Sequence, residues 1–213
     1  MRTILAATLI SAFSVTPALA DDIPETLVTD TSGNLPAGIQ WKDVAGKDEG
    51  RVERVLSWNE GDGPHVAVFA SSSKVGQKND SRYETRGLYV TTFSMRDGKP
   101  KKIQHIKEIV AVCDLDITAK FIDASISLTN VDGDDKGELT FAYATRCAGD
   151  VSPLAMKVLV LEGKDKHALR GESLLKAGGE TWGGTFKADF KKGAEAIFEH
   201  AKRTWYANQE VSY

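Results

Sequence analysis

From Arg51 onward the chain breaks into short runs in which apolar residues alternate with polar ones, each run closed by a cluster of Gly, Asp, Asn or Pro. "RVERVLSW" and "HVAVFASSS" are rich in Val and aromatic residues, and the turn-forming "NEGDGP" between them predicts a β-hairpin. "RGLYVTTFSM" places Tyr89, Thr91, Phe93 and Met95 on one face and ends in Asp97-Gly98, a pair suited to a tight turn. "KIQHIKEIVAV" should then return antiparallel. Further runs follow at similar spacing: "SISLTN", "ELTFAYATRC", "MKVLVLEG" and "KHALRGES". Regular short strands without intervening helices predict a mainly β fold, built as an antiparallel meander, a sandwich or partial-propeller-like sheets.

The period changes near the C-terminus. Phe190, Ala194, Ile197, Ala201 and Trp205 recur every three or four residues, which predicts an amphipathic helix over 189–207 that packs on the sheet. Asp189 is its expected cap and Gly193 its weak point. Before Arg51, two prolines and scattered polar residues predict an extended arm over 21–50, with Leu35, Ile39 and Trp41 available to dock on the core.

The N-terminus reads as an export signal. Residues 1–20 carry one charge, Arg2, then an apolar run from Ile4 to Val15 and the small-residue triplet Ala18-Leu19-Ala20. That run is short for a membrane span, so the mature chain, 21–213, is expected to be periplasmic or extracellular with no span. Without Arg2, 26 basic residues face 30 acidic ones, a net charge of −4. This balance argues against nucleic acid, which calls for a concentrated basic face. The one basic run, "GKPKKIQHIK", has no aromatic residue for stacking. No Pro/Gly/Ser-rich linker divides 51–213, which is expected to form one domain.

Two cysteines, Cys113 and Cys147, in an exported chain read first as a disulfide; a metal site and a reactive thiol are the alternatives. Closing a loop of this length stabilises a fold by roughly 3 to 4 kcal/mol in the chain-entropy model.

The candidate chemistry sits between the cysteines. Calcium loops place oxygen ligands at positions 1, 3, 5 and 9 and a carbonyl at position 7. Counting from Asn130 gives Asn130, Asp132, Asp134, the carbonyl of Lys136 and Glu138. Position 6, where the turn favours Gly, holds Asp135, which tolerates positive φ better than most residues. Phe141 stands at position 12 where a helix-loop-helix calcium motif has Glu. The loop is therefore either a weakened structural calcium site between two strands or a solvated hairpin turn.

"CDLDITAKF", the acidic loop, "CAGDVSP" and "KHALRG" together resemble a family of exported bacterial proteins catalogued under surface polysaccharide biosynthesis, and the loop is similar to those of FG-GAP and VCBS (integrin-like) repeats. The resemblance covers most of 51–207, agrees with pairing Cys113 to Cys147, and offers no catalytic residues. It implies a cell-envelope protein. Two functions follow: a non-enzymatic scaffold binding a glycan or a partner protein, with Trp58, Tyr83 and Trp182 as aromatics for stacking; or a hydrolase of envelope polysaccharide or phosphoester using Asp114, Asp116 and Asp150, with His167. Asp114 and Asp116 are expected to share one strand face. The four histidines, His65, His105, His167 and His200, are isolated from any metal or nucleophile signature in the sequence.

Overall fold

The computed structural model describes residues 27–78 and 80–210; the expected export signal lies outside them. The protein is mainly β. One antiparallel sheet is a meander of β1 (Val28–Asp30), β2 (Gly50–Glu60), β3 (Gly63–Lys78), β4 (Ser81–Arg96) and β5 (Lys99–Cys113), in that order. The second holds β6 (Asp116–Thr129), β7 (Glu138–Ala148), β8 (Ala155–Glu162) and β9 (Asp165–Glu172). A small hairpin, β10 (Leu174–Ala177) with β11 (Glu180–Gly183), interrupts it before β12 (Phe186–Asp189) pairs back on β9.

The two sheets pack face to face, and alternation decides which residues meet. Leu56, Phe69, Leu88 and Val90 of the first sheet join Leu139, Phe141, Tyr143, Leu159 and Leu161 of the second in one core. Their sequence neighbours point the other way, because successive side chains on a strand take opposite faces. Val55, Val66, Val68, Tyr89, Phe93 and Met95 face an outer layer formed by the N-terminal arm, whose Leu35, Ile39 and Trp41 dock there with Val44. Ala142, Val158, Val160 and Leu169 face the C-terminal helix α2 (Glu195–Asn208) through Ile197, Ala201 and Trp205. Runs such as "VAVFA" and "LTFAYA" are buried at every position, Thr140 included, because both faces of their strands are covered.

The helix is shorter than its periodicity predicts. Gly193 takes a φ of +89°, which closes the preceding turn, and Ala194 occupies the N-cap without a side-chain bond. Asp189 caps nothing; it lies on β12 and pairs with Arg170 at 3.1 Å. Phe190 stands outside the helix yet packs edge-on against Phe198. The arm also gains order, pairing β1 with β2 and forming a single turn, α1 (Trp41–Val44). Among the described residues, no helix is long and apolar enough to cross a membrane.

Candidate functional site

The acidic loop turns on side-chain bonds to its own backbone. Asn130 Oδ1 accepts from the Gly133 amide at 2.9 Å, Asp132 Oδ1 from Asp134 at 3.2 Å, and Asp134 Oδ1 from Lys136 at 2.9 Å. Asp135 sits in the left-handed region at φ +67°, doing at position 6 what glycine does more cheaply. The acidic side chains then divide. Glu138, the first residue of β7, is fully buried, and both its oxygens accept from the Val131 amide while Oε2 also accepts from Thr129 Oγ1 at 3.0 Å. Burial pushes its carboxyl up to about 7 against those bonds. Glu138 latches the neck of the loop.

Asp132 and Asp134 instead gather with Glu162 at the end of β8, each offering an oxygen within 4.8 Å of the others. Three carboxylates suit a hard cation such as calcium. The Lys136 ammonium already reaches two of them, Asp134 at 2.5 Å and Glu162 at 2.8 Å, and their bonds push its own pKa up. Burial opposes ionisation of Asp134, but Lys136 outweighs it and holds that carboxyl low. A calcium ion has to displace this ammonium.

The carboxylates of the hydrolytic alternative lie at the other end of the sandwich. Asp114 stands in the bend before β6, so it does not share a strand face with Asp116, the first residue of β6. Asp116 faces Ala148 in the register, and Asp150 follows two residues later. All three are exposed, and Asp150 is engaged by Arg146 and Ser152, which hold its carboxyl below the usual range. His167 is buried on β9, three strands from Asp116 in the same sheet, stacked on Phe190, and burial lowers its pKa. Cys113 and Cys147 form the disulfide, joining the end of β5 to β7 and so one sheet to the other.

Two clefts open where the sheets diverge. At the disulfide end, a cavity of about 560 Å³ is lined by Arg51, Glu53, Ser71, Ser72, Ser73, Arg86, Phe121 and Asp123. Its polar groups are held in place by one another: Glu53 accepts from Ser71 Oγ and from Arg51 at 2.9 Å, and Arg54 reaches Asp123 at 3.3 Å. Ser73 donates to Glu84 at 2.8 Å, and Arg86 holds the same carboxylate with bonds of 2.6 and 3.3 Å. Gly50 admits β3 to this wall, since a Cβ there would lie 2.0 Å from the Ser71 carbonyl oxygen. Phe121, half-buried and edge-on to Phe69, supplies an apolar floor.

At the loop end, a cleft of about 500 Å³ is lined by Glu60, Asp62, His65, Ser94, Arg96 and the acidic loop, with several lysines at its margin. His65 Nε2 lies 2.6 Å from Asp62 Oδ1 and 3.6 Å from Glu60 Oε2, and Arg96 holds the other Asp62 oxygen at 2.7 Å. The hydrogen bond from His65, then that from Arg96, keeps the Asp62 carboxyl low. His65 is thus not isolated, as the sequence suggested; "EGDGPH" brings three ligand-type side chains into one turn, a spacing masked by its turn-forming glycines and proline. Trp58 is not a surface platform: it is buried, stacked on His65, and donates to Glu60 at 2.7 Å. Trp182, on β11, is exposed at 43%.

No family model, curated protein or solved structure matches this chain.

Proposed function

We propose that this protein is an exported cell-envelope component, of the surface-polysaccharide-associated kind its sequence resembles, whose β scaffold binds a glycan in the cleft at the disulfide end. The observation that carries this is the lining of that cleft. Carboxylates, guanidinium groups and three consecutive serine hydroxyls alternate around a half-buried Phe121. Sugars present donors and acceptors around apolar ring faces, and fixed charged partners make the stronger hydrogen bonds. The volume, about 560 Å³, falls within the range of small-molecule sites. Export is supported by the signal-like N-terminus and by the disulfide, which persists in oxidising compartments.

A partner protein is the second reading, favoured by Val112, Leu115 and Val151, all more than half exposed and close in sequence to Cys113 or Cys147. Hydrolysis through Asp114, Asp116 and Asp150 has less support, because a general acid needs a raised pKa and Asp150 has a lowered one. Within the same scaffold, calcium in the loop from Asn130 to Glu138 would be a structural ion tying β6 to β7.

An array of bacterial envelope glycans probed with the oxidised protein tests the main reading. Retention of a defined oligosaccharide that weakens at least tenfold in Glu53→Gln and Arg86→Gln supports it; uniformly flat binding refutes it. Calorimetric titration with calcium, beside an Asp132→Ala/Asp134→Ala variant, tests the ion: neither heat nor a shift in Tm removes it.

A further inference from the structure

The loop-end cleft contains a second ligand set, separate from the acidic loop and from the glycan cleft. Glu60, Asp62 and His65 each offer one ligand atom, and the three atoms lie within 4.8 Å of one another. Two carboxylate oxygens, Asp62 Oδ1 and Glu60 Oε2, converge on the single ring nitrogen His65 Nε2. A proton on that nitrogen points along one direction; a metal ion among the three atoms meets all of them.

The supports behind these ligands are already built. Glu60 Oε1 accepts from Trp58 Nε1 at 2.7 Å and from the Gly137 amide at 3.3 Å, leaving Oε2 to face His65. Trp58 stacks on the imidazole with ring centroids 5.6 Å apart. Arg96 orients the Asp62 carboxylate from its far oxygen. Such outer partners set ligand direction and basicity in metal sites.

An independent observation points to a missing ligand. Ser94 is paired directly with His65 in the register of β3 and β4, lines the same cleft and is only 6% exposed. Its Oγ is buried and has no hydrogen-bond partner among the described residues. Buried hydroxyls are ordinarily satisfied, so this one calls for an occupant of the cleft. Ser94, His65 and Asp62 are also the residue types of a nucleophilic triad, but Ser94 Oγ makes no bond to His65, whose Nε2 faces the two carboxylates.

We propose that Glu60, Asp62 and His65 bind a divalent transition-metal ion of the zinc class, with Ser94 Oγ ligating it or holding its bound water. The nitrogen in the set selects a borderline ion over calcium, and three protein ligands with one open position match zinc geometry. The acidic loop differs, with three oxygens and the chain's own Lys136 ammonium among them.

Titration of the untagged, full-length, oxidised protein with zinc chloride by calorimetry tests this. One equivalent should bind, calcium in excess should not displace it, and Asp134→Asn should bind as the wild type does. Affinity should fall at least tenfold in His65→Gln and in Asp62→Asn. Asp62 is the decisive position, because its side chain is 47% exposed and its replacement opens no core. Cobalt substitution reports ligation directly, through visible absorption bands that His65→Gln should change. The proposal is overturned if the wild type binds no zinc saturably, if Asp62→Asn and His65→Gln bind as tightly as the wild type, or if Asp134→Asn loses as much affinity as they do.

Discussion

The two ends of the sandwich are closed by different physics. At one end a covalent bond, Cys113 to Cys147, fastens the sheets, and beside it lies a cleft whose charged groups pair mostly along the first sheet, with Arg54 to Asp123 crossing to the second at an exposed site. At the other end no covalent link is made, and the sheets are held by directed polar contacts. The Gly137 amide reaches Glu60, and Gln104 Nε2 donates to the carbonyls of both Gly163 and Asp165 at 2.8 Å. Around these contacts stand a buried carboxyl, Glu138, and a half-exposed ammonium, Lys136. The covalent end should therefore respond to redox conditions and barely to pH, whereas the polar end should respond to pH and salt.

Reduction breaks the comparison most sharply. Urea unfolding of a Cys113→Ser/Cys147→Ser variant should show a loss of about 3 to 4 kcal/mol, from the freedom regained by the unfolded chain. A loss below about 1 kcal/mol would mean that packing, not the disulfide, closes that end.

Next in size is the pH response of Glu138. Burial raises its folded pKa from 4.5 to about 7, so the folded state holds this proton more tightly than the unfolded state. Its contribution to stability is complete below the unfolded value and is lost as pH rises through about 7. The full loss is on the order of 3 kcal/mol. Glu138→Gln, which keeps an acceptor for Val131 and Thr129, should flatten the profile between pH 4.5 and 8 by that amount. Parallel profiles for variant and wild type would place the proton elsewhere.

Smaller effects sharpen the account of the loop. Asp135→Gly should raise stability by roughly 0.5–1 kcal/mol, because glycine carries no Cβ penalty at φ +67°. Lys136→Met should cost about 0.5–1 kcal/mol at low salt, less at high salt, since the ammonium it removes is half exposed. An Asp135→Gly variant no more stable than the wild type would mean that the loop does not hold its left-handed turn in solution.

How much of this was legible in the sequence follows from local pattern. Strands with a clean alternation or a continuous apolar run, such as "RGLYVTTFSM" and "ELTFAYATRC", declare themselves, and the Asp97-Gly98 turn does too, with φ of +52° and +68°. The outer half of the β3–β4 hairpin did not. No residue of "SKVGQ" or "SRYETR" is buried, so their order comes from pairing across 14 registered residue pairs of the whole hairpin and not from burial. The strands β10 to β12 are four residues each among glycines, too short to show a period. The acidic loop's turn was readable because each Asx side chain bonds its own neighbours. The Glu60–Asp62–His65 set was not, because turn chemistry accounts for the same residues and only the register brings Ser94 opposite His65.

Glycan binding at the disulfide end is tested most directly by amide chemical-shift mapping of the oxidised protein against an envelope oligosaccharide. Saturable shifts are expected at Arg51, Ser71, Ser72, Arg86 and Phe121, with the loop from Asn130 to Glu138 unmoved. Shifts confined to that loop, or none at any residue across the envelope glycans, would contradict it.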